Sequence, residues 1–178
     1  MPTIGIIADT HVPQRLPRLP VGIGRVFQGV ELILHAGDLN SLAVLDELNQ
    51  IAPTLAVAGN ADLFGTGLPV RRVVEVGGQR VGLTHGHGNW PRYLVRKFVD
   101  VFDYDDDFYL RAACAEFAGK RVDAVIYGHT HRSRLARVGS MLVFNPGPTA
   151  PTYFNTCGPQ VGLLHIEAGR LWAEVIKL

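Results

Sequence analysis

Side chains able to hold metal ions recur in this chain at the ends of short apolar runs. Asp9 and His11 follow Ile4 to Ala8, Asp38 follows Leu32 to Ala36, and Asn60 follows Thr54 to Ala58. His85 and His87 follow Arg80 to Thr84, and His129 and His131 follow Val122 to Tyr127. Five of the seven histidines therefore stand at such boundaries. Carboxylate and amide oxygens mixed with imidazole nitrogens suit manganese, iron, cobalt, nickel or zinc, and there is no thiolate cluster to favour a softer site. Seven candidate ligands (Asp9, His11, Asp38, Asn60, His85, His129 and His131) exceed the need of one ion, so two ions sharing a carboxylate are expected. Such a pair, about 3.5–4 Å apart, can hold a bridging hydroxide, bind two phosphoryl oxygens and steady the charge of an in-line displacement. Metal charge also lowers the pKa of bound water enough to supply hydroxide near neutral pH.

These residues need elements that bring them to one place. Ile4 to Ala8, Leu32 to Ala36 and Thr54 to Ala58 read as buried strands, each ending in a polar or glycine-bearing turn. Between the last two, Leu42, Leu45 and Leu48 recur at helical spacing after Ser41, which predicts a strand-helix-strand unit with Ser41 as N-cap. Arg71 to Val76 and Arg80 to Thr84 flank Gly77-Gly78-Gln79, the composition of a tight hairpin. Asp105 to Asp107 open a predicted helix through Phe117, where acidic residues complement the dipole, with Lys120 and Arg121 near its C-terminal end. Val122 to Tyr127 is a further strand, Leu135 to Val138 and Met141 to Phe144 form a second hairpin, and Val161 to Glu167 and Leu171 to Ile176 close the chain. Alternating strands and helices early, with hairpins late, predict a mixed α/β layered fold whose strand ends build the site.

Composition bounds the rest. With 178 residues, 47% of them hydrophobic and 19% charged, the chain is expected to form one ordered domain over residues 1–178. A net charge of +1 provides no global field for nucleic acid or an anionic membrane, so phosphate recognition must be local. Cys114 and Cys157 are too few for a disulfide framework and are expected to be free thiols. No apolar run approaches the roughly 20 residues needed to span a bilayer, and the N-terminus lacks the features of a signal peptide. A soluble, cytoplasmic protein is expected.

Asp9-Thr10-His11, Gly37-Asp38, Gly59-Asn60, Thr84-His85-Gly86 and Gly128-His129-Thr130-His131 together resemble the ordered signature blocks of the calcineurin-like metallophosphoesterases. Their spacing is similar to that of the small bacterial and archaeal phosphodiesterase branch, and the resemblance spans nearly the whole chain. It implies a two-sheet β-sandwich flanked by helices, an αββα arrangement. It also implies Asp9, His11 and His131 on one ion, Asn60, His85 and His129 on the other, and Asp38 bridging them. Asp38, Asn60 and His87 are the residues expected to take part in catalysis.

The chain departs from the family pattern at two places. Many members carry histidine directly after the asparagine matching Asn60, where it contacts phosphate or protonates the leaving group. Here Ala61 stands there, so general-acid help worth about 10²- to 10⁴-fold is absent or comes from elsewhere. His87 is the candidate replacement, with a metal-bound water as the other. Asn145-Pro146-Gly147-Pro148 resembles the family's Asn-Pro-Gly-Ser loop but loses the final hydroxyl, and is expected to pack under the rim of the site.

Other residues have blander readings. His35 lies inside an apolar run and reads as a core or supporting histidine rather than a ligand. Asp62 is expected to orient His11 or another ligand through a hydrogen bond. The aromatic stretch Trp90, Tyr93, Phe98, Phe102, Tyr104, Phe108 and Tyr109 reads first as core packing, with a substrate platform or an oligomer contact as alternatives. The leading expectation is a manganese-dependent phosphodiesterase acting on a small phosphoester through a metal-bridging hydroxide. A phosphomonoesterase, a nucleotide phosphatase, or a non-catalytic binding scaffold of the same fold are the alternatives.

Overall fold

The computed structural model describes residues 2–62, 66–88, 90–100, 104–152 and 158–178. Phe102, Cys157 and the side chain of Trp90 lie outside the described residues.

The chain runs β1 (Thr3–Ile7), α1 (Gly22–Val26), β2 (Leu32–His35), α2 (Ala43–Asn49), β3 (Thr54–Ala56), β4 (Arg71–Val76) and β5 (Gln79–Thr84). It continues through α3 (Trp90–Val99), α4 (Asp106–Ala115), β6 (Ala124–Ile126), β7 (Arg134–Val138), β8 (Met141–Asn145), β9 (Gln160–Glu167) and β10 (Arg170–Lys177). Two five-stranded sheets result, in the orders β10-β9-β1-β2-β3 and β4-β5-β6-β8-β7. β1, β2 and β3 are parallel to one another, as are β5, β6 and β8, while the two expected hairpin pairs β4/β5 and β7/β8 are antiparallel, as are the closing strands β9 and β10.

The inner faces of the sheets meet through Ile4, Ile6 and Leu34 on one side and Val81, Leu83, Ile126 and Phe144 on the other. The first sheet's outer face carries Ile7 and Ile33, covered by Ile23 and Phe27 around α1 and by Val44 and Leu48 from α2. The second sheet's outer face carries Val125, Tyr127 and Val143 under Tyr109, Leu110 and Ala113 of α4. This is the expected helix-sheet-sheet-helix layering. Each fully buried aliphatic side chain contributes about 1.5–3 kcal/mol by leaving water. No described helix is long and apolar enough to cross a membrane.

The structure corrects several local expectations. Ser41 is not the N-cap of α2; Leu42 holds that position, and the Ser41 Oγ accepts the N–H of Ala43 in a short turn ahead of the helix. α4 ends at Ala115, so Lys120 and Arg121 lie beyond it, although Asp106 and Asp107 do occupy its first turn. β3 and β6 are shorter than the apolar runs that contain them, because residues 57–60 and 127–131 leave the sheet to build the site. α1 and α3 have no counterpart among the elements expected from the sequence. α3 presents Leu94, Val95 and Phe98 to solvent at 59%, 67% and 79% exposure, against the core-packing reading of the aromatic stretch; Tyr93 and Tyr109 from that stretch are buried.

Candidate metal centre

The parallel strands of both sheets end on a common edge, and the ladder between β1 and β2 persists past the strand ends. Asp9 donates its N–H to Gly37 O at 3.0 Å, His11 to Asp38 O at 3.0 Å and Val12 to Leu39 O at 3.0 Å. Gly128 donates to His85 O at 3.2 Å, tying the loops after β5 and β6 in the same way. Asp9, His11, Asp38, Asn40, His129 and His131 all adopt positive φ, between 45° and 72°. Left-handed backbone is uncommon for residues other than glycine and costs of order 1 kcal/mol or more at each, so the packed loops must enforce it. Gly59 shows how close the packing is: a Cβ there would lie 2.1 Å from Asp38 Oδ1 and 2.4 Å from Asp38 N.

The loops bring the expected residues together. One ligand atom each from Asp9, His11, Asp38 and His131 lie within 4.8 Å of one another. Asp38 faces two ways: Oδ2 is 3.6 Å from His11 Nε2, and Oδ1 is 3.3 Å from His85 Nε2. His85 Nε2 also lies 3.1 Å from Asn60 Oδ1, and the His85 and His129 rings stand edge to face with centroids 5.1 Å apart. Asp9 Oδ1 is 3.4 Å from His131 Nε2, and both Asp9 oxygens accept the N–H of His129 at 3.2–3.3 Å.

The donor set fits divalent ions. His85 Nδ1 is 2.7 Å from Ala36 O, and His11 Nδ1 is 2.8 Å from Asn40 Oδ1. A carbonyl oxygen only accepts, so each Nδ1 carries the proton and each Nε2 faces the carboxylates, as a metal-ligating imidazole requires.

Charge is arranged to match. Burial alone would raise the Asp38 pKa, but His85, the Ala61 N–H at 2.8 Å and His11 outweigh it and hold the carboxyl well below its usual range. Burial opposes charge on His85, yet Asp38 and Asp9 push its pKa up to about 9. Asp9 is also lowered, since His131 and His85 overcome its burial. Burial lowers His11, with Asp38 only partly compensating. Burial and the neighbouring His85 push His129 down to about 3 and His87 down to about 4. At neutral pH Asp9 and Asp38 are thus ionised and His11 and His129 neutral, the states that bind metal, whereas His85 keeps a proton that an incoming ion must displace.

Support comes from residues around the candidate ligands. His35 is buried, with Nδ1 accepting the Gly37 N–H at 3.1 Å and Nε2 3.1 Å from Thr10 Oγ1, and burial lowers its pKa to about 4. It therefore joins the first two ligand loops as a neutral ring, in agreement with the sequence reading. Asp62 does not touch His11; it accepts three backbone N–H groups, from Leu39 at 3.1 Å, Asn40 at 2.8 Å and Gly59 at 2.9 Å. Asn145 Nδ2 donates to Gly128 O at 2.8 Å and to Thr130 Oγ1 at 3.1 Å, so the Asn-Pro-Gly-Pro loop packs under the site as expected. Sequence reasoning missed Asn40, Arg15, whose Nη1 is 3.4 Å from His131 Nδ1, and the placement of Tyr93 and Tyr109, whose rings lie 5.3 Å and 4.9 Å from His129. Nothing in residue spacing marks them, because their partners lie in other loops.

Residues 3–169 match the model of the calcineurin-like phosphoesterase superfamily domain. The chain belongs to that superfamily. It is 37% identical over 175 residues to a probable metallophosphoesterase of Methanothermobacter thermautotrophicus, covering 98% of this chain and 91% of the relative. It is 30% identical over 178 residues to a phosphodiesterase of Methanocaldococcus jannaschii, covering 92% and 93%. Among solved structures, vacuolar protein sorting 29 (Vps29) of Entamoeba histolytica complexed with zinc superposes with a TM-score of 0.70 at 26% identity, covering 98% of each chain. The superfamily membership makes the chain a phosphoesterase by family, and its two-sheet sandwich is the fold these neighbours share.

Proposed function

We propose that residues 1–178 form one hydrolase domain that cleaves phosphodiesters with two divalent ions, manganese being the first to test. The observation that carries this reading is the two-sided Asp38 carboxylate, with one oxygen toward His11 and the other toward His85. Asp9, His11 and His131 would hold one ion, Asn60, His85 and His129 the other, and Asp38 both. When bound, the ions supply nucleophilic water at neutral pH and neutralise phosphoryl charge. Asp38 and Asn60 would orient bound ions through their side-chain oxygens. His87 is buried beside His85, an environment that keeps it neutral, which suits it to hydrogen-bond a substrate oxygen rather than deliver a proton from a cation. Ala61 supplies neither, so substrates whose leaving groups are stable anions are favoured. The phosphodiesterase name of the Methanocaldococcus relative supports the diester.

The test compares mono- and diester forms of one aryl leaving group with manganese, then with chelator, and repeats the diester assay on Asp38→Ala and His131→Ala. Manganese-dependent diester hydrolysis that both substitutions abolish is the expected result. Metal-loaded wild-type protein no more active than these variants on any phosphoester sinks the proposal. A scaffold reading draws on the Vps29 likeness and on exposed Leu94, Val95 and Phe98. It gains if the purified protein holds no metal at micromolar supply.

A further inference from the structure

Beside the seven candidate ligands lies a polar chain with no ligand role of its own: Asp62, Asn40 and the Nδ1 edge of His11. A neutral imidazole carries one proton, and the partner of one nitrogen decides whether the other is free to bind a metal. For His11 two oxygens compete. Asn40 Oδ1, 2.8 Å from Nδ1, draws the proton to Nδ1; Asp38 Oδ2, 3.6 Å from Nε2, would draw it to Nε2. With the proton on Nε2 the lone pair would point away from Asp9, Asp38 and His131, and the ring could not serve the site that the ligand atoms of these residues surround.

We propose that Asn40 is the positioning residue for the first ion: its Oδ1 fixes His11 in the Nδ1–H tautomer, and Asp62 fixes Asn40. The proposal rests on the dinuclear reading above only for its metal consequence, since the tautomer belongs to the protein itself. Asn40 reaches His11 from a left-handed backbone, φ 69°, a conformation asparagine tolerates better than most residues. Its own N–H is held by Asp62 Oδ1 at 2.8 Å, while Asp62 Oδ2 takes the N–H groups of Leu39 and Gly59. A buried carboxylate thus clamps the loop after β2 to the loop after β3, and its effect reaches His11 through the Asn40 side chain. No other hydrogen bond to the His11 ring comes from outside the ligand set among the described residues.

Two substitutions separate the hydrogen bond from the fold. Asn40→Gly keeps the left-handed backbone without strain and removes the oxygen; Asn40→Asp keeps an oxygen at the same reach. Long-range ¹H–¹⁵N correlation of the His11 ring, in chelator, reads the tautomer directly. The wild type and Asn40→Asp are expected to show Nδ1–H, and Asn40→Gly a shift toward Nε2–H. Manganese titration of the same proteins is expected to show one of two binding steps weakened about 10- to 100-fold in Asn40→Gly, the other unchanged, and both retained in Asn40→Asp. An Asn40→Gly protein that keeps the Nδ1–H tautomer, or binds both ions as tightly as the wild type, overturns the proposal. So does an Asn40→Asp protein that loses as much as Asn40→Gly. A wild-type protein with the Nδ1–H tautomer that takes up no manganese overturns the dinuclear reading and the metal half of this proposal, while the Asn40→Gly spectrum still decides its tautomer half.

Discussion

Replacing Asp62 by asparagine tests how far the site depends on a carboxylate that binds no metal. The side chain is 2% exposed and accepts three N–H groups on two oxygens. The carboxamide would keep the shape but offer one oxygen, and its NH₂ group would face at least one backbone N–H, donor against donor. A hydrogen bond to a charged acceptor contributes about 1.5–3 kcal/mol, and a buried donor left unsatisfied costs about 1–3 kcal/mol. Asp62→Asn should therefore destabilise the fold by about 3–5 kcal/mol, a large share of the ~5–15 kcal/mol typical of a domain. At roughly 2–4 °C per kcal/mol for a chain of this length, the Tm should fall by about 6–20 °C. Thermal unfolding followed by far-UV circular dichroism in excess chelator measures this without interference from ligand stabilisation. A Tm within about 2 °C of the wild type would refute the clamp, because the loops would then be held by contacts other than these three bonds.

Proton competition should govern metal uptake. An ion taking His85 Nε2 displaces a proton held to about pH 9, so apparent affinity should rise up to roughly tenfold per pH unit below that value and level off above it; manganese titrations giving equal affinity at pH 6 and pH 8 would contradict this. Ala61→His should restore a proton donor at an exposed position whose backbone N–H already contacts Asp38. Hydrolysis of alkyl diesters should then rise by at least about tenfold with little change for aryl esters, and an equal effect on both would count against a missing general acid. Gly59→Ala would drive a methyl group onto Asp38 Oδ1 and N, costing about 1–3 kcal/mol, and, with Asp38 shared between two ions as proposed, should weaken both metal steps; calorimetric titration showing wild-type uptake would refute the shared carboxylate.

Residue order alone went far in this chain. The apolar runs ending at Asp9, Asp38 and Asn60 marked three parallel strands, because a buried strand must be apolar throughout and must leave the sheet where polar groups begin. Gly77-Gly78 marked the β4/β5 turn, since both residues need positive φ there. The helix from Trp90 to Val99 escaped the reading although Leu94, Val95, Phe98 and Val99 recur on one face at helical spacing; residue order does not show that this apolar face points to water and not to the core. Proline at its second position is compatible with a helix start and is easily taken for a break.

What the linear sequence determined was the inventory of the centre: which side chains stand at strand ends and what class of ion their donors suit. Only the folded chain decided their states and directions. Asp38 looks both ways because Gly59 admits its carboxylate, His85 carries a proton because two acids surround it in a buried pocket, and His11 presents Nε2 because Asn40 occupies its other edge. Each of these depends on distances between residues far apart in the chain, and such distances are set by how the two sheets and their loops pack.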